Sequence, residues 1–293
     1  MFKGSIPAVI TPFEKSGSVD YDKLEKHIDF LIDEGSHGLV SCGTTGESPT
    51  LSHDEHKKVT ETIFKRASKR VPVMGGCGSN STSESIELVK HSKKTGLEGV
   101  LLVSPYYNKP TQDGLFQHFN SIARSSDNIP IYLYNIPGRS IVNIGQEVMK
   151  KLSTVTNIVG VKDATSDLTI PLETKLNCGS NFIQLSGEDA TFLSFLISGG
   201  VGCISVSANV IPRLCSRLYQ CWIDRKIDDA MQINEVIFPL NKVLFLETSP
   251  APVKFALSLM NKCENYLRLP LVSINKENKK LIISVLRSLE LIN

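Results

Sequence analysis

Short runs of apolar and β-branched residues alternate, as far as Ser207, with longer segments whose hydrophobic residues recur at helical spacing. The short runs predict eight strands, at Ser5–Ile10, Gly38–Ser41, Pro72–Gly75, Gly99–Val103, Pro130–Tyr134, Ile158–Lys162, Phe182–Ser186 and Val201–Ser205. The clearest helical segments are Tyr21–Glu34, His53–Lys69, Ser83–Thr95 and Gly114–Ser125. Asp20 and Ser52 precede two of these helices and are suitable N-caps. The repeating unit is therefore a strand followed by a helix.

A series of such units favours a closed barrel over an open sheet. Strands joined by crossover helices run parallel, and a parallel sheet needs cover on both faces. We therefore predict an α/β fold, an eight-stranded parallel (βα) TIM barrel with the helices outside. The alternative is an open doubly wound sheet, which a G-x-G-x-x-G motif at the first helix would favour. The first βα turn, residues 11–17, has no such motif.

The last part of the chain has a different pattern. After Ser207 the strands stop, and helical patterns continue at Arg213–Asp224, Ala230–Leu246, Val253–Met260 and Lys276–Leu289. We expect residues 1–225 to form the barrel and residues 226–293 to form a helical extension packed on it. No low-complexity linker separates the two regions, so a second independent domain is not expected.

Composition and charge narrow the class of partner. Lys plus Arg number 32 and Asp plus Glu number 30, and the basic residues are scattered, which argues against nucleic acid. No apolar stretch is long enough to predict a membrane span, and the N-terminus has no signal-peptide pattern. The seven cysteines include no C-x-x-C pair and no zinc-ligand spacing. We expect a cytoplasmic protein with reduced thiols and a small-molecule ligand.

Lys162 is the most informative residue at the predicted strand ends, where the catalytic groups of a βα barrel lie. It closes the apolar strand Ile158–Lys162, so its amine is expected in the barrel mouth against apolar walls. Desolvation disfavours a charged amine, and the neutral amine is the form that attacks a carbonyl to make an imine. The alternative is a strand-end lysine whose amine reaches solvent.

Other strand ends carry groups that suit a small 2-oxo acid. The turn Gly43–Glu47 offers two hydroxyls and backbone amides that could hold a carboxylate. Tyr107 and Tyr134 are phenols able to relay protons if they are linked through Thr44. Arg139 could hold a second carboxylate with two parallel hydrogen bonds. Each of these residues also has an ordinary structural interpretation as a helix cap, a packing residue or a surface cation.

Together these motifs resemble one family. The segments Gly43–Glu47, Pro105–Asn108, Tyr134–Arg139 and Gly160–Thr165, with Pro250–Lys254 near the C-terminus, are similar in order and separation to 4-hydroxy-tetrahydrodipicolinate synthase (dihydrodipicolinate synthase). That family belongs to the pyruvate-dependent class I aldolase and N-acetylneuraminate lyase superfamily. The resemblance covers essentially the whole chain. It implies a lyase that condenses pyruvate with L-aspartate 4-semialdehyde through a lysine Schiff base, in lysine and diaminopimelate biosynthesis.

The resemblance also implies roles for individual residues. Lys162 forms the imine with pyruvate, and Tyr134 transfers protons through Thr44 to Tyr107, which in the family crosses from the neighbouring subunit. Arg139 receives the carboxylate of the semialdehyde. The remaining pocket residues implied are Thr45, Gly187 and Ile204. The family usually assembles as a homotetramer, a dimer of tight dimers, and requires no metal or organic cofactor.

Two alternative functions stay open on the sequence. Arg139 favours the synthase over an N-acetylneuraminate lyase or another pyruvate-dependent sugar-acid aldolase, which would meet a polyhydroxylated aldehyde at this loop. The second alternative is a barrel that has lost catalysis and serves as a metabolite-binding or regulatory protein. Every family catalytic position is filled by a competent residue, which argues against that alternative.

A second cluster resembles the lysine feedback site of some bacterial members. Its residues are Ser48, His53, His56, Asn80, Glu84 and Tyr106. The Glu84 carboxylate could pair with the amine of lysine, and Tyr106 could pack on its methylene chain. Pro49 stands where the family usually has alanine, and it removes a backbone donor. We expect weak to moderate inhibition by lysine.

Overall fold

Eight strands form one sheet, and helices alternate with them along the chain. The structure is a computed structural model and describes residues 1–293. The strands are β1 Gly4–Pro7, β2 Leu39–Ser41, β3 Val73–Gly76, β4 Gly99–Val103, β5 Ile131–Asn135, β6 Ile158–Asp163, β7 Ile183–Ser186 and β8 Gly202–Ser205. Their order in the sheet is β1-β8-β7-β6-β5-β4-β3-β2. The predicted (βα) TIM-barrel fold, with eight parallel strands nearly closed into a barrel and helices after them, is confirmed.

Twelve α-helices accompany the strands. The eight that fall between Tyr21 and Ile197 are α1 Tyr21–Asp33, α2 His53–Ala67, α3 Thr82–Thr95, α4 Gln112–Arg124, α5 Pro137–Ser140, α6 Gln146–Ser153, α7 Ile170–Cys178 and α8 Phe192–Ile197. The C-terminal four are α9 Pro212–Ile223, α10 Ile227–Val243, α11 Ala251–Leu259 and α12 Lys276–Ser288. None of these helices combines the length and the apolar character that crossing a bilayer would need.

The chain forms two compact units. The first comprises residues 1–3 and 72–204, and the second comprises residues 4–71 and 205–293. In the first unit, apolar residues of β4, β5 and β6 pack with α3, α4 and α6 around a core that includes Leu102, Phe119, Leu133 and Leu152, all fully buried. This core fixes the strands whose ends carry Tyr134 and Lys162.

In the second unit, α1 packs against α2, and α9 and α12 both pack against α10. The predicted caps are confirmed, since Asp20 accepts from the Lys23 amide and Ser52 from the Glu55 amide. The Glu55 carboxylate accepts in turn from the Ser52 amide, which completes a capping box. The predicted division of the chain at residues 225 and 226 stays a prediction.

Candidate active site

The amine of Lys162 lies against the ring face of Tyr134. Tyr134 and Lys162 are paired residues of the parallel strands β5 and β6, so both side chains project from the same face of the sheet. The Lys162 Nζ lies 4.1 Å from the centroid of the Tyr134 ring. Lys162 is 7% exposed and Tyr134 is 6% exposed. The amine is therefore screened from bulk water, as predicted, and does not extend into solvent.

Gly187 follows β7 and leaves the space that the Lys162 side chain occupies. A Cβ atom at this position would lie 2.7 Å from Ala164 Cβ and 2.9 Å from Lys162 Cε. Contacts this short do not occur in folded proteins, so a larger residue would move the lysine stem. The amide of Gly187 also donates to the carbonyl of Asp163. Lys162, Tyr134 and Gly187, which were selected from the sequence, are thus brought together.

Asp163 is a buried acid beside the lysine that the sequence reasoning did not single out. Its carboxylate accepts from the amide of Thr165 at 2.9 Å and from the Thr165 hydroxyl at 2.7 Å. Burial raises the pKa of Asp163, while the hydrogen bonds from Thr165 oppose that rise. These bonds form a tight turn immediately after β6 and so restrain the backbone next to Lys162. An Asp-x-Thr sequence at a strand end was the available signal.

Arg139 lies in the short helix α5, directly after β5, and its side chain is exposed. Asn135 anchors this loop, because its side chain donates to Asn143 Oδ1 at 2.7 Å and accepts from the Ile144 amide at 3.1 Å. The Ser140 hydroxyl lies 2.9 Å from the carbonyls of Ile136 and Val142. These hydrogen bonds fix the loop, which carries the guanidinium of Arg139 directly after the strand that contains Tyr134.

Tyr107 does not join the buried pair within one chain. Its side chain is 89% exposed, and its backbone has a left-handed φ of 71°. The adjacent residues are held by hydrogen bonds, since Asn108 donates from its amide to the Tyr106 carbonyl and from its side chain to the Asn80 carbonyl, both at 2.9 Å. The tyrosine ring is thus presented to solvent by a fixed turn.

Three of the residues assigned to a lysine site lie in the same unit as Tyr107. Glu84 lies in the first turn of α3, and its carboxylate accepts a hydrogen bond from the Ser79 hydroxyl. Tyr106 is half-buried, and burial together with the negative charge of Glu84 raises the pKa of its phenol. Asn80 contributes its carbonyl to the turn described above. Ser79 was not identified from the sequence.

The threonine turn belongs to the second unit. Thr44–Gly46 forms a single 3₁₀ turn, in which the Gly46 amide donates to Gly43 and the Glu47 amide donates to Thr44. Thr45 is buried and Thr44 is partly exposed. The Thr11 hydroxyl donates to the Gly46 carbonyl at 2.7 Å, and a Cβ on Gly46 would lie 3.0 Å from the Val9 carbonyl oxygen. A residue with a Cβ at this position would require the segment after β1 to shift slightly.

The other residues assigned to a lysine site also lie in the second unit. Ser48 begins a second 3₁₀ turn, Ser48–Thr50. His53 is the first residue of α2 and is exposed, whereas His56 is buried in the next turn of that helix.

Ile204, assigned to the substrate pocket, is 1% exposed in β8 of the first unit. No group of three or more histidine, cysteine, aspartate or glutamate residues is arranged to hold a metal ion.

The comparisons with known proteins give the family. The model of the dihydrodipicolinate synthetase family matches residues 1–289. The chain belongs to this family. It is 51% identical over 293 residues to the 4-hydroxy-tetrahydrodipicolinate synthase of Parvibaculum lavamentivorans, with 100% of both chains covered. These findings confirm the predicted family and the synthase interpretation, and they do not support the sugar-acid aldolase alternative.

Solved structures agree over the whole chain. The chloride-inhibited dihydrodipicolinate synthase of Acinetobacter baumannii, complexed with pyruvate, matches with a TM-score of 0.97 at 39% identity and covers 100% of both chains. The lysine-bound enzyme of Cyanidioschyzon merolae matches with a TM-score of 0.96 at 35% identity and covers 99% of both chains. The fold of this chain is therefore that of the family throughout.

Replacing Gly187 with alanine tests the packing around the lysine. We expect Gly187→Ala to displace the Lys162 stem, and so to lower the yield of the pyruvate adduct that borohydride traps on Lys162 by roughly tenfold or more. The measurement is the mass of the peptide that contains Lys162 after reduction. Gly138→Ala is the matched control, because a Cβ there meets no atom within 4 Å. A yield of adduct in Gly187→Ala that equals the yield in Gly138→Ala and in the wild type would contradict the packing argument.

Proposed function

We propose that this chain condenses pyruvate with L-aspartate 4-semialdehyde through an imine on Lys162, as a 4-hydroxy-tetrahydrodipicolinate synthase. The observation that carries the proposal is the seat of Lys162, where a buried amine lies 4.1 Å from the centre of a tyrosine ring at the end of a parallel strand. Full-length similarity to named synthases supports the choice of substrates. The lysine supplies the electron sink, so the proposed reaction uses no metal or organic cofactor.

The chemical steps balance without an oxidant or a reductant. The neutral amine of Lys162 attacks C2 of pyruvate, and loss of one water gives the imine. Loss of a proton from C3 gives the enamine, whose C3 then forms a carbon–carbon bond with the aldehyde carbon of the second substrate. The aldehyde oxygen takes a proton, for which the Tyr134 phenol is the proposed donor. The amine of the second substrate attacks C2, closes the ring and releases Lys162.

The remaining residues of the site have proposed roles that come from the family resemblance. Thr45 and the backbone around Thr44 are proposed to bind the carboxylate of pyruvate, as the compact threonine turn can present amides and hydroxyls together. Gly187 and Ile204 are proposed to line the pocket near the imine. Tyr134, Thr44 and Tyr107 are proposed to form the proton relay. A phenol that is 89% exposed in one chain suits a residue that functions in a neighbouring subunit.

We propose that the chain assembles as a homotetramer made of two tight dimers. A second exposed feature supports this proposal. Leu172 and Leu176 on α7 and Ile197 on α8 are 55%, 78% and 67% exposed, and they border one shallow apolar groove. Such a groove suits burial against a second copy of the chain. Sedimentation velocity gives the mass of the assembly, and a species of 32.2 kDa at working concentration would contradict the proposal.

Trapping the imine tests the proposed function most directly. With pyruvate and borohydride, we expect one three-carbon adduct, on the peptide that contains Lys162, and no adduct in Lys162→Met. With pyruvate and aspartate semialdehyde we expect turnover, and with N-acetylneuraminate we expect none. A trapped adduct on a different lysine would refute the assignment, and cleavage of N-acetylneuraminate would favour the lyase.

Arg139→Ala separates the two substrates. We expect this variant to form the pyruvate imine normally but to need a much higher semialdehyde concentration, because a bidentate hydrogen bond to its carboxylate is lost. Loss of one charged hydrogen bond corresponds to roughly ten- to a hundredfold in kcat/KM. Steady-state rates at varied semialdehyde concentrations measure this change. Equal impairment of imine formation would indicate a structural role for the arginine.

We also propose that free lysine inhibits the enzyme at a site containing Ser48, His53, His56, Asn80, Glu84 and Tyr106. The lysine-bound relative supports the class of ligand. In this chain the Glu84 carboxylate is already oriented by Ser79, and the adjacent Tyr106 is half-buried. We expect millimolar lysine to lower the rate of the wild type and to have a weaker effect on Glu84→Gln. An unchanged rate in lysine would remove the proposal.

A further inference from the structure

Glu47 and Lys254 form a fully buried ion pair directly behind the threonine turn. The carboxylate and the ammonium are in contact, and both side chains are 0% exposed. Glu47 is the residue that ends the Thr44–Gly46 turn, and Lys254 lies in α11, 207 positions further along the chain. The contact therefore connects the C-terminal helices to the turn that is proposed to bind pyruvate.

Both charged groups are fully satisfied by neighbours in the same unit. Lys254 Nζ also donates to the Tyr266 carbonyl at 3.0 Å and lies 4.0 Å from the centroid of the Phe13 ring. The second oxygen of Glu47 accepts from the Arg268 amide at 3.2 Å. The carboxylate is thus held at both oxygens, which leaves its orientation no freedom.

Arg268 extends this arrangement to the segment that follows the threonine turn. Its guanidinium donates to the Thr50 carbonyl at 2.7 Å and to the Gly17 carbonyl at 2.7 and 2.9 Å. It also binds both oxygens of Glu55, at 2.6 and 2.7 Å, and this contact lowers the pKa of Glu55 to about 2. Residues 47–55 are therefore fixed from one side by two cations of the C-terminal region.

The backbone of Glu47 explains why the turn needs this support. Its φ of 55° is left-handed, a conformation that is strained for a residue other than glycine. The same backbone position accepts at its carbonyl from the Thr50 amide and hydroxyl. The Thr11 hydroxyl restrains the Gly46 carbonyl from the other side. The ion pair thus holds in place the residue at which the chain reverses after the turn.

Stability alone does not account for a buried ion pair. Removing two charges from water carries a large free-energy cost, and a matched apolar pair is often equally or more stable. A charged pair does fix one geometry, because each partner is strongly disfavoured when the other is misplaced. We propose that Glu47 and Lys254 are positioning residues that set the affinity for the pyruvate carboxylate by fixing the threonine turn. This inference rests on the proposed role of that turn.

The double variant Glu47→Gln/Lys254→Met separates positioning from stability. It keeps the side-chain volumes, removes both charges and leaves no buried ion without a partner. We expect it to fold and to melt near the wild-type temperature. We expect the pyruvate concentration that gives half-maximal borohydride trapping to rise roughly ten- to a hundredfold, while trapping at saturating pyruvate changes by less than about twofold.

A second variant and a control keep the test decisive. Glu47→Gln alone retains an acceptor for the Arg268 amide, and the remaining lysine can lose its proton, so this variant is expected to fold with a smaller rise in the same concentration. Arg213→Ala breaks the exposed pair with Glu34, whose atoms lie 2.7 Å apart, and should leave pyruvate binding unchanged. Arg213 is 67% exposed at its side chain.

The outcomes distinguish this inference from the proposed function. If wild-type protein gives no adduct on Lys162, the proposed function fails. If wild-type protein is trapped on Lys162 and either folded variant has the wild-type pyruvate requirement, the positioning role is overturned. A shift that affects only the saturating yield, with half-saturation unchanged, would also overturn it, since positioning of a carboxylate site acts on binding.

Discussion

The seat of Lys162 is the constraint on which the proposed chemistry depends. A primary amine that is to attack a carbonyl must be available without its proton and must not be surrounded by water that competes for the electrophile. Strand pairing sets Lys162 beside Tyr134, and the missing side chain at Gly187 gives the lysine stem its path. Backbone pairing and side-chain packing within regular strands thus place the amine that is proposed to react.

The loops add what the barrel cannot supply. Hydrogen bonds of Asn135 and Ser140 hold the segment that carries Arg139, and the Thr165 hydroxyl bonds to the Asp163 carboxylate in the turn after β6. In the second unit, charged groups hold the turn after β2 in place. This turn ends at Glu47, whose left-handed backbone is not restrained by the strand. Hydrogen bonds of Asn135, Ser140 and Asp163 therefore support the segments next to the lysine, while an ion pair supports the threonine turn.

Much of this arrangement was predictable from local patterns. All eight strands were found within a few residues, and β4 was located at its observed bounds, because short apolar and β-branched runs are strong signals when helices separate them. The helices α5 to α8 were not named from the sequence, and the last of them, Phe192–Ile197, is short and mostly apolar and has no helical face to detect. Nothing in the sequence indicated that the Tyr107 side chain would be exposed to solvent within a single chain. The Glu47–Lys254 contact had none either, because its partners lie 207 residues apart and each resembles a solvated charge.

The guanidinium of Arg268 has a consequence for any attempt to reduce this molecule to its barrel. It caps three carbonyl and carboxylate groups of residues 17–55, and Lys254 neutralises a fourth, although both cations come from the segment after the last strand. A shortened chain that stopped near residue 225 would leave the carbonyls of Gly17 and Thr50 and the carboxylates of Glu47 and Glu55 without these cationic partners. Residues 17–55 thus depend on Lys254 of α11 and on Arg268 of the segment that follows it, and a minimal catalyst derived from this fold would need a redesigned turn after β2.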